Sequence, residues 1–325
     1  MTASLRASVT NCGCQMRTSI GLLSTCVAAL TTSAWADPAA YRPPRHADGR
    51  PNFEGIWSNT NSTPLVRPPG YTLFISEAEA REIDSHRIAS EEDTGPNEPP
   101  EWNDERRIER VSGTLRSSII IDPPDGQLPG NEALRERLNA VRPALRTVMD
   151  GPEQRPTPER CIGSVASLPP MLSIQVSNLH QIVQTANAIV LFAEPMHDAR
   201  VIRMNAQHAH PAVTSWLGDA IGWWEGDTLV VETKAFTPSD RARTSPLGDY
   251  LVSPRTIVTE RFTRISHEEL NYRFTVEDPT WYVRPWTGET HFTLSDEPLM
   301  EFACHEGNYS LRFILEAARM VEAAQ

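Results

Sequence analysis

The residues best suited to proton transfer lie near the C-terminus, where Glu301 and His305 stand four apart in Glu301-Phe302-Ala303-Cys304-His305-Glu306. In an extended strand side chains alternate, so Glu301, Ala303 and His305 share one face and Phe302, Cys304 and Glu306 the other. A carboxylate beside an imidazole forms an oriented acid–base pair, and Glu277 is a second carboxylate for the same ring. The competing reading keeps His305 in a structural hydrogen-bond network. His197-Asp198-Ala199-Arg200 is a second constellation. Asp198 and Arg200 fall on one face, with His197 on the other as a further candidate proton carrier. In a cavity the planar fork of Arg200 binds a carboxylate or sulfate; paired with Asp198 it ties two strands at a rim instead.

Trp223, Trp224, Trp281 and Trp286 are half of the eight Trp in the chain. Aromatic walls suit an apolar or sugar-like ligand, and core packing is the other use for them. Trp223, Trp281 and Trp286 form the candidate substrate-binding set together with Arg200, Arg284 and Tyr309. His208-Ala209-His210 places two imidazoles on one face of a strand, but no third ligand stands at a suggestive spacing and no H-E-x-x-H occurs, so no metal is assigned. The chain lacks a G-x-S-x-G elbow, a phosphate loop and a G-x-G-x-x-G run, and Lys234 is its one lysine. No cofactor is implied.

Acidic residues outnumber basic ones by 42 to 30, a formal net charge of −12. Such a surface repels phosphate backbones and anionic lipid, which argues against nucleic acid and membrane surfaces as partners and leaves a small molecule. The spacing leaves the oligomeric state open. With 39% hydrophobic residues in 325, a packed core is feasible.

Residues 1–36 read as a secretory signal: Arg17, the apolar run Ile20 to Leu30, then the small-x-small site Ala34-Trp35-Ala36. A lipid anchor at Cys26 is the lesser alternative. Either way the expected location is the periplasm or outside the cell, with no integral membrane segment. Cys12, Cys14 and Cys26 belong to the leader, which leaves Cys161 and Cys304 to pair in an oxidising compartment or to stay as two buried thiols.

The elements that must position these residues divide in two. Residues 37–159 read as an extended wrapping arm with two helices, Ser76 to about Ser90, with Ser76 and Glu79 spaced as a capping box, and Asn131 to Met149, perturbed by Pro143. Glu91 to Asp104 reads as an acidic loop, and Thr114–Ile121 as a strand. Residues 160–325 read as a barrel domain of about eight strands: Leu179–Thr185, Ala188–Ala193, Arg200–Met204, Thr228–Phe236, Thr256–Ile265, Glu269–Glu277, Glu289–Leu294 and Leu299–Cys304. A helix from about Tyr309 to Ala323 ends the chain. The fold class is mostly β with added helices, an antiparallel barrel or sandwich of lipocalin-like architecture.

Pro51-Asn52-Phe53-Glu54-Gly55-Ile56-Trp57, Gln181-Ile182-Val183-Gln184-Thr185, His197 to Ile202, Trp224 to Thr233, Glu260-Arg261-Phe262-Thr263-Arg264, Val276-Glu277-Asp278-Pro279, Arg284-Pro285-Trp286, Ala303 to Tyr309 and Ile314 to Arg319 follow in order over more than half of the chain beyond the leader. In these motifs the chain resembles a family of exported bacterial β-rich proteins, a resemblance that implies export and membership and assigns no activity. The chain departs from that family at Ala220 and Ile221, where it usually has Ser and Arg, at Trp223, usually Arg, and at Ile257, commonly His. A more apolar pocket follows from those departures. The leading expectation is an exported enzyme of lyase, isomerase, cyclase or hydratase type, in which His305 with Glu301 or Glu277 moves protons on a hydrophobic or aromatic small molecule. The alternative is a carrier that binds such a molecule in the same barrel without changing it.

Overall fold

The computed structural model describes residues 41–92, 106–174, 177–238, 243 and 247–324; the leader expected at 1–36 lies outside them, as does the expected acidic loop from beyond residue 92 up to Asp104. The apolar island near the N-terminus forms β1 (Gly55–Ser58). The capping box starts α1 (Glu77–Glu92): the Ser76 N–H donates to Glu79 Oε2 at 2.7 Å and the Glu79 N–H to Ser76 Oγ at 3.3 Å. A hairpin of β2 (Arg110–Val111) and β3 (Thr114–Leu115) precedes β4 (Ile120–Asp122), so the strand expected over Thr114–Ile121 is two short pieces. Ser117 breaks it, because its N–H donates to Leu73 O and its hydroxyl to Thr72 O. α2 (Glu132–Thr147) is capped by Asn131, whose Oδ1 accepts the Leu134 N–H, and runs on through Pro143.

The barrel follows as β5 (Leu179–Gln184), β6 (Ala188–Ala193), β7 (Asp198–Met204), β8 (Asp219–Glu225), β9 (Thr228–Lys234), β10 (Ile257–Arg264), β11 (Glu269–Glu277) and β12 (Trp286–Ser295), and α3 (Tyr309–Ala323) ends the chain. The strands pair in the order β1-β5-β6-β7-β8-β9-β10-β11-β12, and β12 returns to β1, closing nine staves. β1 comes from the segment read as a wrapping arm, so that segment supplies a stave as well as a wrap. All neighbours are antiparallel except β7 and β8, which run parallel and need the crossover at 205–218. Gly226, at φ 60°, takes the first position of the two-residue turn between β8 and β9, the conformation only glycine adopts freely.

The run Leu299–Cys304 is not a strand; it has no ladder partner and lies along the outside of the barrel. The Met300 N–H donates to Glu194 Oε2, the Phe302 N–H donates to His197 Nε2, and Cys304 is bonded to Cys161. That disulfide closes a separation of 143 residues, for which chain entropy alone gives roughly 5 kcal/mol.

Register fixes which side chains look inward. The inner face carries Trp57, His180, Ile182, Leu191, Arg200, Ile202, Leu229, Val231, Val258, Glu260, Phe262, Tyr272, Phe274, Trp286, Thr290 and Phe292, all buried. The rings pack closely, with Phe262 and Tyr272 centroids 4.9 Å apart and Tyr272 and Phe292 5.5 Å apart. Residues 163–173 are buried throughout and reach the inward side chains: Ala166 O lies 2.8 Å from His180 Nε2, the Met171 N–H donates to Tyr272 Oη at 3.0 Å, and the Ser167 hydroxyl donates to Asp198. The disulfide sits two residues before this plug.

Outside, α3 turns Leu311, Ile314, Leu315 and Ala318 half-buried against the protein, while Val321 is exposed. No described helix is long and apolar enough to cross a membrane.

Gly288 faces Phe274 across the β11–β12 ladder, and a Cβ there would lie 2.3 Å from the ring. Because that ring is fully buried among other aromatics, Gly288→Ala is expected to cost about 1–3 kcal/mol, read as a lower chemical-denaturation midpoint at unchanged slope.

Candidate functional site

Charged residues on the inner face of a barrel need a reason, and this barrel has a group of them. Arg200 on β7 donates through Nη2 to Glu260 Oε2 on β10 at 2.7 Å, and the Tyr272 hydroxyl on β11 donates to Glu260 Oε1 at 2.8 Å. Glu260 and Tyr272 are fully buried, and Arg200 is 3% exposed. The Arg200 partner is therefore Glu260 and not Asp198, whose carboxylate takes the Ser167 hydroxyl instead. Burial raises the Asp198 pKa against the lowering effect of that bond. Burial and the neighbouring Glu260 charge push the Tyr272 phenol well above 10.

The Arg200 guanidinium is only partly satisfied. Nε and Nη1 are buried and have no acceptor. Each such donor is expensive to leave unmade, and more so on a charged group. Beside this centre His180 points both ring nitrogens at carbonyl oxygens, Nδ1 at Asn178 O (3.0 Å) and Nε2 at Ala166 O (2.8 Å). Burial holds its pKa below the usual 6.5 although both carbonyls favour the charged ring. The neutral ring donates to one carbonyl only.

A second polar group closes a gap in the wall. β4 pairs with β12 at Thr287 and Gly288, and β1 pairs with it at Thr293 to Ser295. Between them the Glu109 carboxylate takes the place of a ladder partner: Oε2 accepts the Thr290 hydroxyl at 2.6 Å and lies 3.1 Å from His291 Nδ1. Burial alone would lower the His291 pKa, but Glu109, with Glu269 beyond it, carries it above 6.5. On the outer wall His208 lies between Asp219 (Nδ1, 2.8 Å) and Glu232 (Nε2, 3.1 Å), with Arg203 on Asp219 and Lys234 on Glu232. The chain of charges fastens the crossover to β8 and β9. With one carboxylate at each ring nitrogen, this arrangement does not converge on a point, and among the described residues no three His, Cys, Asp or Glu side chains could hold a metal ion. His210 is exposed and accepts the Ala212 N–H.

The four expected proton carriers are all outside the barrel. Glu301 and His305 are exposed on the irregular run that replaces the expected strand, so alternation does not turn them inward. Glu277 is exposed at the outward end of β11, and the buried carboxylate there is its neighbour Asp278, which holds Ser253 and Thr256. His197 is exposed, stacks on Phe192 and accepts the Phe302 N–H. The expected binding residues are scattered as well. Trp223 faces outward and donates to Glu225, Arg284 pairs with Asp122 on the surface, and Tyr309 is exposed at the start of α3. Trp281 packs partly buried at the barrel end, and Trp286 is part of the core itself. Of Ala220, Ile221, Trp223 and Ile257, only Ala220 faces inward; the other three lie on the outer face, so the expected more apolar interior does not follow from them.

Arg200 alone among the expected residues lies in the inner polar group. His180, Glu260 and Tyr272 were not singled out, although two of them carried a signal. Glu260 sits between Val258 and Phe262 on an alternating strand, and His180 precedes Ile182 on another: a charged or titratable residue on an apolar face. No protein-family model matches the chain, and no curated protein and no solved structure matches it.

Buried His180 and half-buried His291 respond to pH with opposite signs. His291, with its pKa raised, adds stability that is fully present below about 6.5 and is lost as pH rises through the raised value. His180, with its pKa lowered, adds stability that is lost as pH falls below about 6.5, where the unfolded chain takes up the proton first. Urea titrations at pH 6 and pH 8.5 test both. The deficit of His291→Gln is expected to be larger at pH 6, and that of His180→Gln larger at pH 8.5.

Proposed function

We propose that the barrel binds an apolar, ring-bearing small molecule by an anionic group seated on Arg200, and releases it chemically unchanged. The observation that carries this reading is the pair of buried Arg200 donors without acceptors inside an aromatic lining. A guanidinium is the side chain best matched to a carboxylate, and a ligand oxygen arriving there recovers the cost of the unmade bonds. Acid–base catalysis fits the interior less well. The Tyr272 phenol is held far from neutral pH, His180 is wedged between two carbonyls, and Glu301, His305, Glu277 and His197 stand outside. Entry under this reading passes the plug at 163–173, which covers the polar centre.

The same reading places the protein in the periplasm or outside the cell, as an exported member of the β-rich family its motifs resemble. The Cys161–Cys304 bond supports an oxidising compartment.

Calorimetric titration with 2-naphthoate and with its neutral methyl ester tests the anionic contact. The acid is expected to bind at least tenfold more tightly than the ester. Arg200→Met combined with Glu260→Gln removes the cation without stranding the buried carboxylate, and should abolish that difference while the circular dichroism spectrum and melting midpoint hold. Equal binding of acid and ester, or of neither, overturns the proposal.

A further inference from the structure

Arg200 is not the only inward residue with unpaired polar atoms. Asn59 is 2% exposed, and neither its Oδ1 nor its Nδ2 has one. Its direction follows from the backbone. The Asn59 N–H donates to Asn178 O at 3.2 Å, which extends the pairing of β1 with β5 by one residue beyond Ser58 and Leu179. Alternation then continues the inward series Gly55, Trp57, Asn59. The same Asn178 carbonyl lies 3.0 Å from His180 Nδ1, so Asn59 adjoins one edge of the imidazole. The charge of Arg200 bears on that imidazole too. Phe292 packs edge-on against His180, with centroids 5.2 Å apart, so an apolar ring adjoins the imidazole as well.

A buried amide with both atoms unpaired is costly in a finished core, because the whole desolvation penalty stands uncompensated. A fork of unpaired cationic donors near one side of His180 and an unpaired donor–acceptor pair at another side make a two-point site. We infer that the ligand is bifunctional: a flat apolar body with a carboxylate for Arg200 and, toward its other end, a hydroxyl or carbonyl group for Asn59. The inference rests on the proposed binding function and adds the second polar contact to it. An amide that both donates and accepts takes a hydroxyl in either sense, so a hydroxy acid satisfies it most fully.

The test compares 2-naphthoate with 6-hydroxy-2-naphthoate on the full chain and on Asn59→Leu. The hydroxy acid is expected to bind at least tenfold more tightly to the natural protein, and Asn59→Leu should close that tenfold gap between the two acids. Asn59→Leu also removes an unpaired amide, so its melting midpoint should be equal to or above that of the natural protein. A midpoint well below it would mean that the amide is structural, and overturns the inference. Equal affinities for the two acids overturn it as well, leaving the Arg200 contact standing. If neither acid binds, the binding function falls and takes this inference with it.

Discussion

A barrel of nine staves is wider than one that its own inward side chains fill, and the chain meets that constraint by folding residues 163–173 back into the interior. Most of the remaining design follows from the need to hold that segment in place. A plug of backbone carries polar groups that an apolar wall would leave unsatisfied, so the staves facing it provide His180 for the Ala166 carbonyl, Asp198 for the Ser167 hydroxyl and Tyr272 for the Met171 N–H. Further along, the Tyr250 hydroxyl donates to Pro170 O and Arg243 donates to Pro169 O. The disulfide fastens the entry to the plug from outside, where Cys161 meets the run that leads into α3.

The polar interior has an electrostatic consequence. Arg200 and Glu260 attract each other strongly in a low-dielectric setting, yet each has lost its hydration, and such a pair contributes little net stability unless its other hydrogen-bonding positions are filled. Glu260 is filled: Arg200 takes one oxygen and Tyr272 the other. Arg200 is not. The asymmetry separates this pair from a purely structural one such as Asp278, whose two oxygens take the Ser253 N–H and hydroxyl, the Thr256 hydroxyl and the Thr280 N–H. At Asp278, where the carboxylate organises a loop, every bond it offers is taken.

The same contrast explains what the amino-acid pattern could and could not convey. Alternation marked most of the staves because each has one dry face; β11 and β6 begin and end where the pattern places them. β8 is not marked by alternation, because Gly222 and two adjacent Trp obscure its period. Leu299–Cys304 alternates just as well, but alternation states only that two faces differ, not that a neighbouring strand exists. A strand there would put His305 and Glu301 on one shared face, but on the irregular run both lie in water. The pairing of Cys161 with Cys304 was one of two outcomes legible by counting, because a leader over residues 1–36 would take the other three cysteines. Asn59 was beyond reach: its inward direction depends on a single backbone bond to Asn178 past the end of β1.

A site built from unpaired polar atoms selects differently from one built from shape. An apolar pocket discriminates a ligand from one shorter by a methylene by only about 1–3 kcal/mol, and scarcely rejects an added hydroxyl. A pocket whose buried donors stay unpaired without the correct ligand penalises every molecule that covers those donors and fails to accept from them. The aromatic lining of Phe292, Phe262 and Tyr272 would tolerate many flat molecules. Arg200 sets the narrower requirement, because a neutral body pressed against it would seal two charged donors away from both water and an acceptor. The plug is subject to the same rule from the other side. Its groups pair with one nitrogen of the neutral His180 ring, with Asp198 and with Tyr272, and reach neither Nε nor Nη1 of Arg200.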